Sequence, residues 1–186
     1  MNKDMSIHFL REELTVSEPV HSWREEDGVI YFTVKSDGRT GKDWITCLEG
    51  NGFRVGDYAK QILCSPYFKP TSGVMTEVAL LKGVLFEDQR RITKKIRAEA
   101  HKRNLTKPNA ELACLTRMKF TDKDIEAMGL VWIVTMHEPI NDTDGDQRLL
   151  NMDRYDDGCW LDACSVGPGD VWVPVSGFAF AVPQPV

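Results

Sequence analysis

Residues 130–136 read Leu130-Val131-Trp132-Ile133-Val134-Thr135-Met136, an apolar run with β-branched residues at 131, 133, 134 and 135. A stretch this short, this continuous and this rich in β-branched side chains predicts a strand buried on both faces. It divides the chain. Upstream the hydrophobic spacing is mostly helical, and downstream short strand candidates alternate with turn residues.

Working back from Leu130, the sequence Thr121-Asp122-Lys123-Asp124 opens a short helix that Gly129 ends. Thr106 and Pro108 introduce another over 109–119, with Leu112, Ala113 and Leu115 facing a core. Residues 87–103 predict the clearest helix, because Glu87 and Asp88 open it and basic residues close it, as the macrodipole prefers. Trp44, Ile45 and Leu48 fit one helix face from Thr40, and Tyr58, Ile62 and Leu63 fit a second short helix stopped before Pro66. Residues 74–86 mix both periods and lean to extended structure, while 29–34 read as a strand between the turn signals Asp27-Gly28 and Ser36-Asp37-Gly38.

Forward from Met136, strand candidates fall near 148–152, 159–165, 171–173 and 177–182. The expectation is therefore an α+β protein, with a mostly helical middle segment followed by a C-terminal antiparallel β region. All 186 residues suit one compact domain, with an α-rich part over 1–128 and a β-rich part over 129–186.

The downstream part has an unusual composition. Residues 149–183 contain no Lys, Glu or Gln, although residues 1–148 contain 27 of them. A solvated β surface normally uses these residues freely. Here short polar groups hang between Trp160, Trp172, Phe178 and Phe180, which with Leu161 read as a fixed frame. Such side chains offer hydrogen bonds and contact area at low ordering cost, as adaptable binding surfaces require. The plain alternative is a turn-rich acidic β region.

Net charge is −5, but eight cations against Glu99 alone give +7 over 89–107. Arg90, Arg91, Lys94, Lys95, Arg97 and Lys102 cover one side of the 87–103 helix and could neutralise phosphates, so nucleic acid is an alternative partner. No aromatic interleaving or recognised DNA-binding motif accompanies them. Eight carboxylates face Arg148 and Arg154 over 138–162.

Within that acidic stretch His137, Glu138, Asp142, Asp144 and Asp146 form the one cluster resembling metal chemistry, which gives a divalent-metal hydrolase as second alternative. An EF-hand register fails, because its first and twelfth positions fall on Ile140 and Asn151. No His-Glu-x-x-His or Gly-x-Ser-x-Gly motif is present, and 38–42 lacks the spacing of a phosphate loop. Cys47, Cys64, Cys114, Cys159 and Cys164 are scattered and odd in number, and His8, His21, His101 and His137 pair with none of them by spacing. No catalysis, cofactor or resident metal is expected. The start lacks a signal-peptide apolar region and no run is long enough to span a bilayer, so a cytoplasmic protein without membrane contact is expected.

From Arg148 the pattern R-L-L-x-x-x-R-x-x-D-G-x-W-L, followed by Pro168, Trp172 and Gly177-Phe178-Ala179-Phe180-Ala181-Val182-Pro183, resembles the C-terminal variable regions of target proteins of diversity-generating retroelements. There, template adenines are randomised, typically in AAC codons. Exchanging the first two bases of such a codon cannot produce Lys, Glu, Gln, Met or Trp. The resemblance implies a ligand-binding protein, C-type-lectin-like in known cases, with Asn151, Asp153, Tyr155, Asp156, Asp162, Cys164, Ser165, Asp170 and Val173 as diversified contact positions. Met152 lies outside the accessible set. The resemblance covers about the last 40 residues, and the remainder resembles small bacterial proteins without adding an activity.

Overall fold

The computed structural model describes residues 22–155 and 158–184. Its organising element is the last strand of the chain. Strand β9 (Ser176–Ala181) lies in the middle of the sheet, antiparallel to β4 (Ser72–Lys82) and parallel to β5 (Trp132–Thr135). Its sequence explains the position: Phe178 and Phe180 point to one face, Gly177 and Ala179 to the other, and all four are buried. A strand covered on both sides belongs at a sheet centre.

Around it the described residues form nine strands in one mixed sheet. Strands β1 (Arg24–Glu26) and β2 (Val29–Asp37) continue outward from β4. On the other side of β5 come β7 (Gln147–Tyr155), β8 (Gly158–Ser165) and the two-residue β3 (Arg54–Val55), with β6 (Ile140–Asn141) paired to β7. The pairs β3–β8 and β5–β9 are parallel and the rest antiparallel.

Five helices of six to ten residues flank this sheet. Helices α1 (Gly41–Gly50), α2 (Asp57–Cys64), α4 (Glu111–Lys119) and α5 (Asp122–Ala127) contribute Trp44, Leu48, Ile62, Leu112 and Ile125 to a core with Ile30, Leu80, Ile133, Leu150 and Leu161. Helix α3 (Thr93–Lys102) lies on the other face, where Ile96 and Ala100 meet Val29, Leu81, Val134, Leu149 and Phe178. Capping boxes at Thr40/Asp43 and Thr121/Asp124 start α1 and α5, each satisfying backbone donors that would otherwise lack partners.

Two expectations need correction. A helical middle followed by an antiparallel C-terminal β region, with the C-type-lectin-like arrangement attached to it, is not the architecture. The first 128 residues supply four strands to the same sheet as the last 58, so the strands do not form a separate C-terminal region, although all five described α-helices lie before Gly129. Local periodicity identified most of the strands but carries no record of which distant strand each one pairs with. The helix expected over 87–103 is also divided. A 3-10 turn at Asp88–Arg90 is followed by extended Ile92, whose backbone bridges Val171, and α3 begins only at Thr93. Arg91 enforces the break: buried, it donates to the carbonyls of Gly83 and Phe86 and to Asp88.

Candidate functional site

The 166–175 loop joins β8 to β9 and is tied to the first turn of α3 by three sets of bonds. The Thr93 and Lys94 amides donate to the carbonyls of Asp170 and Pro168, Ile92 bridges Val171, and Trp172 N–H donates to Arg91 O. Trp172 is the anchor. Its indole N–H donates to Thr93 Oγ1 at 3.0 Å, and its ring meets Phe178 edge-on with centroids 5.7 Å apart. With Trp172 turned inward, Asp170, Val171, Val173 and Val175 project into solvent. Asp170 also accepts the Gly167 N–H, which closes the turn.

Beneath the loop is a cavity of about 300 Å³. Lys94 and Arg97 of α3, Lys107, Glu138 and Pro139, Gln147 at the start of β7, and residues 166–168 line it. Arg97 is half-buried and donates to the carbonyls of Met136 (3.3 Å) and His137 (3.1 Å). Burial draws its pKa down, against the opposing pull of the Glu138 charge. Glu138 is paired to Lys107, which holds its carboxyl below the usual range.

The proposed contact residues do not make one solvent-facing patch. Register puts Asn151, Asp153, Tyr155, Trp160, Asp162 and Cys164 on the α3 side of β7 and β8, but at different depths. Asn151 and Asp153 are buried, Asp162 and Cys164 half-buried, and Tyr155 exposed with its ring 6.2 Å from that of Trp132. Ser165 is exposed on the alternate side of β8, and Asp170 and Val173 are on the loop. Asp156 lies outside the described residues. Of the expected frame, Leu161, Phe178 and Phe180 are buried, whereas Trp160 and Trp172 are half-buried, with the Arg54 guanidinium 5.3 Å from the Trp160 ring.

Asp153 is a strongly perturbed carboxylate in that row. Burial pushes its pKa up to about 6, with the Asp162 charge adding to the rise, while hydrogen bonds from Asn151 and Tyr155 and the Arg117 charge oppose it. Asn151 Nδ2 reaches both carboxylate oxygens at 2.7 Å, leaving Asn151 Oδ1 buried without a partner.

The metal alternative is not assembled. His137 is buried with both nitrogens engaged, Nδ1 against Glu138 O at 2.6 Å and Nε2 accepting the Leu150 N–H at 3.0 Å, and burial draws its pKa down to about 4. Asp142 accepts from the Asp144 and Asp146 amides and from Arg148 Nε at 2.8 Å. Burial raises its carboxyl, and these donors outweigh that and hold it below the ordinary value. Among the described residues no three His, Cys, Asp or Glu side chains converge on one point.

Nor is there a ready nucleophile at Cys164, whose thiol burial pushes up to about 12. His8 and His21 lie outside the described residues. Of the six cations assigned to nucleic acid, Arg91 is buried and spent largely on backbone carbonyls, Arg97 is half-buried with two donors on carbonyls, and Arg90, Lys94, Lys95 and Lys102 remain exposed. Among the described residues no helix is long and apolar enough to cross a membrane.

The cavity joins residues 93–97, 107, 138–139, 147 and 166–168, five segments that no sequence spacing connects. No protein-family model or curated protein matches the sequence, and no solved structure matches the fold.

Proposed function

We propose that this is a non-catalytic recognition protein whose contact surface is the 166–175 loop seated on α3, with exposed Asp170 and Val173 as exchangeable contact positions of the retroelement type. The observation that carries the reading is the alternation around Trp172. One side chain fixes the loop from below while Asp170, Val171, Val173 and Val175 point out, so exchange at those positions leaves the bonds to α3 intact, and at Asp170 removes only the side-chain bond to Gly167. Tyr155 and Ser165 are exposed and fit the same reading as secondary positions. Asn151 and Asp153 do not, because exchanging a buried, mutually bonded pair disturbs packing before it alters a contact.

The test is comparison of paralogous genes within one genome, with the neighbouring DNA. Substitutions concentrated at 155, 165, 170 and 173 and matching adenines in an adjacent template copy support the reading. Differences spread evenly along the gene, with no template and no reverse transcriptase nearby, contradict it.

A further inference from the structure

Among the described residues, the buried and half-buried arginines Arg39, Arg91, Arg117, Arg148 and Arg154 each lie within ion-pair distance of a carboxylate. Arg97 does not; its hydrogen-bond partners are two carbonyls. Those bonds use two of the five N–H donors of a guanidinium, and the nearby charge that opposes its own is that of Glu138, which is already paired to Lys107. Lys94 stands exposed on the same wall, and Lys107 completes it from outside α3. Glu138 offsets one of the three cations, so the cavity keeps an excess of positive charge.

The α3 amides are not the source of that excess, since Thr93 and Lys94 donate to loop carbonyls. What remains is a recess lined by the cationic Lys94, Arg97 and Lys107 together with Val166, Pro168 and Pro139. Its volume of about 300 Å³ is at the small end of ligand sites, the size of a compact head group with a short organic body.

We infer that this cavity binds a small phosphate monoester, with Arg97 and Lys94 gripping the phosphate oxygens and the prolines and Val166 enclosing the adjoining carbon skeleton. Arg97 is suited to this because its planar fork matches the oxygen spacing of a phosphate, while Lys94 adds a mobile point charge at the rim. The inference goes beyond the recognition reading and stands whether or not the loop above the cavity varies in sequence.

Calorimetric titration of the full chain with ribose 5-phosphate and, separately, with inorganic phosphate tests it. Saturable one-to-one binding of ribose 5-phosphate in the millimolar range or tighter is expected, with inorganic phosphate weaker because it lacks the skeleton. Lys94→Glu weakens binding about tenfold or more, and Arg97→Gln does likewise. Lys60→Gln, on α2 across the sheet, leaves it unchanged. Lys94 is exposed, so Lys94→Glu remains informative even if Arg97→Gln fails to fold. Absence of saturable heat, or affinity indifferent to Lys94→Glu, overturns the proposal. So does binding confined to duplex DNA with steep salt dependence, which would make the exposed lysines a polyanion surface instead.

Discussion

The indole N–H of Trp172 donates to the hydroxyl of Thr93 at 3.0 Å, joining residues 79 positions apart. That bond, with the backbone bonds beside it, ties the loop leading into the central strand to the first turn of the basic helix. Two features that look separate in the sequence, a polar C-terminal region and a cationic helix, become adjoining halves of one surface.

Replacing Trp172 separates the two contributions it makes. Trp172→Phe keeps ring packing on Phe178 but removes the hydrogen bond, and is expected to cost about 1 kcal/mol. Trp172→Ala removes both, with an expected loss of roughly 2–3 kcal/mol, below the range for a fully buried ring. Urea denaturation measures both; an unchanged stability in Trp172→Phe would show that the bond to Thr93 adds nothing, and equal losses in the two variants would show that the ring packing adds nothing.

Asp153 should make stability fall as pH rises. An unfolded aspartate titrates near ~3.9, whereas this one titrates at about 6. Between those values the folded chain holds the extra proton, so stability is lost as pH increases through the window. Asp153→Asn removes the slope and lets Asn151 Oδ1 accept an amide hydrogen. The variant is expected to exceed the parent by roughly 1–3 kcal/mol near pH 8, with the gap closing below about pH 4. Denaturation across pH checks this, and a gap that does not vary with pH contradicts it.

His137 acts in the opposite direction. Its folded pKa of about 4 lies below the ordinary value of 6.5, so the unfolded chain takes the proton first and stability is lost as pH falls between them. The expected loss is about 3 kcal/mol over that window. Nitrogen chemical shifts should show a neutral ring with the proton on Nδ1 near pH 5.5, because Nε2 accepts the Leu150 N–H. A ring that charges near its ordinary pKa would rule out this burial.

Divalent cations should leave the protein unchanged. The Asp142 oxygens are held by two amides and Arg148, and His137 has no free nitrogen. Melting temperature in Ca²⁺, Mg²⁺, Mn²⁺ or Zn²⁺ is expected to equal that in chelator. A saturable rise with any of them would reopen the metal reading.

The sequence was informative wherever the cause of structure is local. The Thr121/Asp124 start signal, the strand at 29–34 and the buried strand at Trp132–Thr135 all follow from neighbouring residues. The fold class did not, because β9 chooses β4 and β5 as partners across about 100 and 44 residues, and alternation in Phe178 and Phe180 says only that both faces are covered. The basic helix starts later than its charge pattern predicts, because that pattern does not contain the burial of Arg91. Composition drew attention to the 149–183 region, yet burial separates Asn151 and Asp153 from Asp170 and Val173, a distinction that composition does not contain.

Amide hydrogen exchange on the full chain, with and without saturating ribose 5-phosphate, tests most directly whether the loop and the helix form one binding surface. The account predicts slower exchange at both 93–97 and 167–173, with β1 and β2 unchanged. Slowing in only one of the two segments, or in neither, would contradict it.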